Sequence, residues 1–354
     1  MNASELERAL SYPFAEQLPA QGQTIDVAPG VKWLRIGLPF VLDHINLWLL
    51  RDEWEGRQGW AIVDTCVAQP HAREQWQQIF EHALEGLPVL RVIVTHMHPD
   101  HIGNARWLCE HWQVPLFISA TDYLTAKFFT GSESSEQGGA ALADFLRGHG
   151  LLDETALQGI RGRSNYYPSL VDGVPASFVR LQHRTRLQLG QHEWRCIAGY
   201  GHAPEHMALY CEALGVLISG DMVLPRISTN VSVNAGEPRG NSLQQFLDSL
   251  RLYEPLPVDT LVLPSHGKPF RGLHERLRQL HQHHDERLSD LLAACQQKPM
   301  SAHDALPILF TRKLDLHQTT FAMGEAVAHL HKLWYDGAVQ RQRDARGVWM
   351  FSAV

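Results

Sequence analysis

Residues 95–101, THMHPDH, constrain this chain more than any other segment, because four metal-binding side chains follow directly after an apolar stretch. In an extended chain alternate side chains point to one side, so His96 and His98 are expected to share one cation. Asp100 and His101 then face a second cation. Imidazole and carboxylate suit zinc, iron or manganese better than calcium, and the segment lacks the thiolates of structural zinc sites. It therefore predicts a two-metal site on a loop between a buried strand and a helix.

Three later segments each place one more ligand at the end of a strand-like run. These ligands are His202 after a glycine-rich turn, Asp221 after residues 216–220, and His266 after residues 260–264. The four segments together resemble the metallo-β-lactamase-fold hydrolases, most closely the branch around glyoxalase II. That branch carries His-x-His-x-Asp-His, Gly-His-x-Pro-x-His, Gly-Asp and Gly-His-Gly. The resemblance covers roughly residues 30–270 and departs at position 265, where serine replaces the usual glycine.

The resemblance implies a role for each ligand and a cofactor of two divalent metal ions, with zinc expected first and iron or manganese left open. The first metal is assigned to His96, His98 and His202, the second to Asp100, His101 and His266, and the bridge to Asp221. A carboxylate at position 221 differs from the cysteine or serine of true β-lactam hydrolases. Histidine at position 98 differs from the glutamate of the diiron electron-transfer branch. A mononuclear iron dioxygenase branch keeps a similar first motif and stays open.

Two residues are expected to support the ligands, and one ligand is expected to take part in catalysis. His206 is predicted to hold its turn in place. Asp64 is predicted to accept a hydrogen bond from the second nitrogen of a ligand imidazole. Two cations would lower the pKa of a shared water toward neutrality. Asp100 is predicted to orient the resulting hydroxide and to pass its proton to the leaving group.

With the resemblance, the expected fold class is α/β (α+β), an αββα metallo-β-lactamase sandwich with a small, mainly helical, winged-helix-like C-terminal domain. The catalytic domain is expected over residues 1–270 and the C-terminal domain over 271–354. An insertion at 119–180 is a candidate lid over the metals. Five side chains in the insertion or beside the ligand motifs are candidate substrate contacts: Arg161, Arg163, Tyr200, Arg226 and Asn230.

Composition restricts where the chain works and what it binds. No apolar stretch reaches the roughly 18–20 residues of a membrane span. The N-terminus lacks a secretory signal and the five cysteines show no paired spacing, so a cytoplasmic protein without a membrane partner is expected. The formal net charge of −7 argues against broad nucleic-acid binding and favours a small-molecule substrate. The oligomeric state is left open.

The C-terminal segment supports the main alternative function. A long helical pattern from Leu273 breaks at Pro299, a second helix is predicted at 324–333, and glycine-bounded strands predict a hairpin at 337–351. This order resembles the short C-terminal domain of β-lactamase-like endoribonucleases. The segment's basic and acidic residues are nearly balanced, however, which does not favour RNA. Three clustered histidines of the long helix are expected to be solvated: His281, His283 and His284.

The leading hypothesis is a dinuclear metal-dependent hydrolase of a small ester-like or thioester substrate, in the manner of a thioesterase, esterase or lactonase. The alternative is an endoribonuclease that uses the same metal pair on RNA phosphodiesters. A mononuclear iron dioxygenase, a β-lactamase and a metal-poor binding protein are less favoured.

Overall fold

The computed structural model describes residues 7–131, 139–163 and 165–354, and within these ranges a pair of β-sheets face each other. The first sheet has seven strands in chain order. Its strands are β1 (Ile25–Ala28), β2 (Val31–Gly37), β3 (His44–Trp54), β4 (Arg57–Val63), β5 (Val89–Ile93), β6 (Leu116–Ser119) and β7 (Val179–Leu181). Strands β1 to β4 pair antiparallel, whereas β4 to β7 pair parallel through helical crossovers.

The second sheet has five strands in the order β12-β11-β10-β9-β8. Its strands are β8 (Arg186–Leu189), β9 (His192–Gly199), β10 (His206–Cys211), β11 (Val216–Gly220) and β12 (Leu261–Pro264). Strands β8 to β11 are antiparallel, and β11 pairs parallel with β12. Strands β9, β11 and β12 therefore run in one direction, and their carboxyl ends meet at one edge.

Helices cover the outer face of each sheet. They are α1 (Pro70–His82), α2 (Pro99–Ile102), α3 (Ala105–Trp112), α4 (Ala120–Thr130), α5 (Gly139–Gly148), α6 (Glu154–Arg161) and α7 (Ser242–Leu250). Between the sheets lies an apolar core that includes Trp33, Trp48 and Trp194, all fully buried. Burial of both faces of a sheet explains why the strands read as continuous apolar runs. The predicted αββα sandwich is confirmed.

The C-terminal segment consists of three helices and a hairpin. They are α8 (Leu273–Gln297), α9 (Ala302–Leu309), α10 (Leu316–Tyr335), β13 (Val339–Arg343) and β14 (Trp349–Ala353). The predicted start of the second helix at Gly324 is wrong, because Asp315 and Gln318 form a capping box that begins α10 about two turns earlier. One hydrophobic cluster joins these helices to the second sheet, with members such as Met323 and Ile197. The winged-helix likeness stays a prediction.

No helix within the described ranges is both long enough and apolar enough to cross a membrane.

Candidate metal centre

The predicted ligands converge where the carboxyl ends of four strands meet. His96 and His98 follow β5 of the first sheet, and helix α2 adds Asp100 and His101. The other ligands follow the three strands of the second sheet that run in one direction: His202 after β9, Asp221 after β11 and His266 after β12. The seven side chains come from distant parts of the sequence, and the facing of the two sheets brings them together.

The first ligand set is a triangle of imidazole nitrogens. His96 Nε2 lies 2.9 Å from His98 Nδ1, which lies 3.1 Å from His202 Nε2. The third side, between His202 Nε2 and His96 Nε2, measures 3.2 Å. Nitrogens bound to one zinc ion at about 2.0–2.1 Å in a tetrahedral arrangement stand roughly 3.3 Å apart. The triangle therefore has nearly the dimensions that a shared cation requires.

The second ligand set places Asp100 beside two imidazoles, and Asp221 joins it to the first. Asp100 Oδ2 lies 3.3 Å from His266 Nε2 and 3.6 Å from His101 Nε2. Asp221 Oδ1 lies 3.5 Å from each of these two nitrogens. Asp221 Oδ2 instead faces His202 Nε2 of the first set at 3.3 Å. One carboxylate thus divides its oxygens between two ligand sets, as a bridging ligand does.

The hydrogen-bonding state of these atoms tests whether the residues fit a metal pair. His101 Nε2, His266 Nε2 and Asp221 Oδ1 are buried, and none of them has a hydrogen-bond partner. A buried polar atom without a partner costs about 1–3 kcal/mol, so native proteins seldom leave one unpaired. All three belong to one cluster, since Asp221 Oδ1 lies 3.5 Å from each of the two nitrogens. Nitrogen and oxygen donors without thiolate suit zinc, manganese or iron, and the site fits two such ions.

Each histidine that would bind a metal through Nε2 has its other nitrogen in contact with a neighbour. His202 Nδ1 donates to the carbonyl of Asn230 at 2.7 Å, and His266 Nδ1 donates to the carbonyl of His44 at 2.7 Å. Because a carbonyl only accepts, these bonds set the tautomer that leaves Nε2 free for a cation. His96 Nδ1 lies 3.0 Å from the Thr95 hydroxyl.

Asp64 performs the same task for His101. Its Oδ2 accepts from His101 Nδ1 at 2.8 Å, and its other oxygen accepts from the backbone N–H of Thr95 at 2.7 Å. The backbone of Asp64 has a φ of 62°, a left-handed conformation that non-glycine residues seldom adopt. Such strain tends to persist where function requires a particular side-chain position. Asp64 thus lies behind His101, and its role in supporting a metal ligand stays a prediction.

Charge distribution differs between the two ligand sets. Burial, reinforced by His202, lowers the pKa of His98 to about 3, so the ring is neutral at physiological pH and its lone pair can bind a cation. Burial also opposes protonation of His266, but the carboxylates of Asp221 and Asp100 outweigh it and raise its pKa to about 10. Imidazolium and carboxylate compensate each other in the second set. A divalent cation bound there would replace ring protons.

His206 contacts the bridging ligand through the backbone. It is fully buried, and its Nε2 accepts a hydrogen bond from the Asp221 N–H at 3.3 Å. Gly220 permits this contact, because a Cβ at that position would lie 2.1 Å from His206 Nε2. None of the ligand groups found among the described residues includes His206. Its role as a supporting residue stays a prediction.

Asp122 is a supporting residue that the sequence analysis missed. Its carboxylate accepts from the backbone N–H of Met97 at 2.7 Å and from that of Glu205 at 2.6 Å. These two N–H groups belong to the loops that carry the first ligand set, so one buried side chain ties both loops together. The signal in the sequence was a helix start at Ser119, whose hydroxyl accepts from the Asp122 N–H.

Beside the first ligand set lies a cavity of about 490 Å³. His98 and His202 form part of its lining. The rest comes mainly from the 119–180 insertion, including Phe129 and Arg163, from the loop 230–236, and from helix α10, including Phe321. The insertion and the C-terminal segment therefore enclose this space together, although residues 132–138 and 164 lie outside the described ranges.

The candidate substrate contacts separate into two groups. Arg163 and Asn230 line the cavity. Arg161, Tyr200 and Arg226 do not line it, so their placement as substrate contacts is not supported. Arg161 turns outward to pair with Asp144 at 3.3 Å, and the other two side chains are exposed.

His281, His283 and His284 of helix α8 are expected from the sequence to be solvated, and for His284 this is wrong. Its side chain is fully buried, with Nδ1 lying 3.2 Å from Nε2 of His329 on helix α10. Helix α10 covers that face of α8, a contact that local spacing does not reveal. His281 and His283 are partly exposed.

Helix α10 also reaches the first ligand set through Asn230. The Asn230 side-chain amide donates to the carboxylate of Glu325 at 3.3 Å, while the backbone carbonyl of Asn230 accepts from His202 Nδ1. Burial raises the pKa of Glu325 to about 7. The C-terminal segment therefore supports the loop that orients a ligand histidine.

Comparisons with known proteins agree with this architecture. A family model described as "Metallo-beta-lactamase superfamily" matches residues 41–266, and one described as "Metallo-beta-lactamase-like, C-terminal domain" matches residues 288–354. A solved beta-lactamase domain protein from Burkholderia ambifaria is 52% identical, covers 99% of this chain and 100% of its own, and has a TM-score of 0.93.

More distant relatives also extend over most of the chain. A metallo-beta-lactamase family protein from Thermus thermophilus is 28% identical, with a TM-score of 0.76 and coverage of 93% of this chain and 100% of its own. The probable metallo-hydrolase YqjP of Bacillus subtilis (strain 168) is 28% identical over 86% of this chain and 92% of its own length.

Proposed function

The chain belongs to the metallo-beta-lactamase superfamily, and from that premise we propose that it is a dinuclear metal-dependent hydrolase of small ester-like or thioester substrates. The division of the Asp221 oxygens between two sets of histidines is the observation that carries the proposal. Two divalent cations held there would supply a hydroxide nucleophile at neutral pH and polarise the attacked carbonyl. The ligand set is the one expected for a glyoxalase II-like branch, with zinc as the first choice of metal.

We assign the remaining steps of the reaction to side chains of this protein. The Asp100 side chain is 18% exposed, against 11% for Asp221, the other candidate carboxylate ligand. Asp100 can therefore contact both the nucleophile and the leaving group. With Oδ2 facing the histidines of the second ligand set, Oδ1 is the oxygen that can accept a proton and return it to the departing oxygen or sulfur. A thiolate leaving group needs little protonation, which favours thioesters. The insertion and helix α10 restrict water around the bound acyl group.

The cavity lining favours a small acyl substrate over RNA. Arg163 is the only lysine, arginine, aspartate or glutamate among the described residues that line the cavity. Recognition of a phosphodiester polymer draws on several cationic contacts and weakens steeply with salt. The chain's five cysteines are free and buried, which suits the reducing cytoplasm expected from the sequence.

A substrate panel tests the proposal. Zinc-loaded protein should hydrolyse at least one member of a set of thioesters, esters and lactones, with mild dependence on salt between roughly 50 and 300 mM, a range chosen for screening of charges. Asp100→Asn should lower kcat by roughly 100-fold or more, the usual size of a general acid–base contribution. Asp290→Asn, a half-exposed position on helix α8, is the control. Cleavage of single-stranded RNA with a steep salt dependence, and no acyl turnover, would establish the endoribonuclease alternative instead.

A further inference from the structure

We propose that the cavity beside the first ligand set binds the acyl part of a substrate with an apolar body and one carboxylate, and that Arg163 pairs with this carboxylate. The inference rests on the proposed hydrolase function and names its substrate class. His98 and His202 line the same cavity as Arg163. A substrate whose reacting carbonyl lies at the ligands can therefore extend into the cavity toward the guanidinium.

The walls of the cavity suit an apolar chain or ring. They are formed largely by Phe128, Phe129, Leu142, Leu146, Ile160 and Phe321. Two of these keep much of their surface in water, with Phe128 exposed by 42% and Phe321 by 48%. An apolar ligand body would remove that surface from water, which favours binding roughly in proportion to the area covered.

Arg163 supplies the polar anchor. Unlike Arg161 two positions earlier, which pairs with Asp144, it has no ion pair with any carboxylate among the described residues. Tyr166 and His317 lie beside it in the cavity lining, with their two rings 5.4 Å apart. Neither side chain offers a negative charge to neutralise the guanidinium. A guanidinium in a partly apolar space binds a carboxylate through two parallel hydrogen bonds, which adds both affinity and orientation.

Because Arg163 is the only lysine or arginine in the described lining, the cavity is suited to an anion with few negative charges. A polymer with many phosphates would meet no second lysine or arginine in the described lining. A neutral acyl chain would fill the apolar walls but leave Arg163 without a carboxylate partner among the described residues. The monocarboxylate is the ligand that satisfies both features at once.

Two thioesters that differ only at the far end of the acyl chain test the proposal. Hexanoyl and adipoyl thioesters of N-acetylcysteamine share a chain length, and adipoyl adds a terminal carboxylate. We expect the zinc-loaded protein to prefer adipoyl in kcat/KM by about tenfold or more, the range of a charge-assisted hydrogen bond. Arg163→Gln should lower this preference at least tenfold. Arg161→Gln, whose side chain lies outside the cavity lining, should leave it unchanged.

Binding of analogues that cannot be hydrolysed provides a second readout. Isothermal titration of the zinc-loaded protein would compare the S-hexyl and S-(5-carboxypentyl) thioethers of N-acetylcysteamine. Tighter binding of the carboxylate form that is lost in Arg163→Gln supports the pocket even if neither thioester is hydrolysed, in which case only the proposed thioester chemistry fails. Turnover of both thioesters without a preference for adipoyl overturns the pocket while the hydrolase stands. Equal binding of both analogues also overturns the pocket. So does a carboxylate preference that survives in Arg163→Gln, because the carboxylate would then be binding the metals.

Discussion

His101 donates its Nδ1 hydrogen to Asp64 Oδ2 across 2.8 Å, which leaves its Nε2 aimed at the second ligand set. Residues behind a ligand in this way commonly change metal affinity by about 10- to 100-fold when mutated. We therefore expect Asp64→Asn to weaken the second metal site by that factor and the first site less, because Asp64 reaches His96 only through the Thr95 hydroxyl. Zinc content after dialysis against graded chelator measures both sites, and the first site is the internal control. Equal loss from both sites would contradict the assignment.

His202 and His206, the two histidines of the Gly-His-x-Pro-x-His motif, should respond differently to substitution. His202→Ala removes a nitrogen from the first ligand triangle, so metal content should fall by about one ion per chain and activity should be lost. His206→Ala removes a buried hydrogen bond to the Asp221 N–H and should cost roughly 1–3 kcal/mol of unfolding free energy while metal content stays nearly intact. Metal analysis and urea unfolding of both variants decide the matter. The reverse pattern would exchange their roles.

Glu325 should make stability depend on pH. Its folded-state pKa of about 7 lies above the usual 4.5, so the native state binds the extra proton and loses stability as pH rises between these values. Glu325→Gln, which mimics the neutral carboxyl, should be more stable than the parent at pH 8.5 by about 3 kcal/mol. The difference should disappear toward pH 4.5. Urea unfolding across pH measures it, and Glu254→Gln at an exposed position is the control. A difference that does not change with pH would contradict this account.

A buried ion pair far from the ligands should matter for folding. Arg91 forms a bidentate pair with Asp52, with distances of 2.6 and 2.7 Å, and both side chains are almost fully buried. Asp52→Ala would leave the guanidinium buried without a counter-charge and should cost about 3–5 kcal/mol of unfolding free energy. Glu193→Ala, which breaks an exposed pair with Arg186, should cost no more than about 1 kcal/mol. Similar losses in the two variants would show that burial does not set the cost.

The sandwich and the clustering of the seven candidate ligands could be predicted because they depend on local patterns. Apolar strands that end in His or Asp place those side chains at a sheet edge, whatever the rest of the chain does. The outer partners His44 and Asn230 could not be predicted in their actual role, because each contributes a backbone carbonyl and its side chain gives no signal.

Contacts between distant segments limited the remaining predictions. Arg161 and Arg163 are equivalent in the sequence, but only the second lines the cavity, whereas the first pairs with Asp144. Phe321 and Glu325 reach the site from the far end of the chain. Their roles depend on how helix α10 packs, which periodicity alone does not determine.

The number and spacing of bound metals tests the central claim most directly. Purified protein loaded with zinc should hold about two ions per chain, and X-ray absorption should place them about 3.5–4 Å apart, the spacing of two-metal hydrolytic sites. Asp221→Ala should abolish the metal–metal signal, since this carboxylate contacts both sets. A single iron at full occupancy, with oxygen consumed during turnover and no second ion bound, would contradict the dinuclear hydrolase.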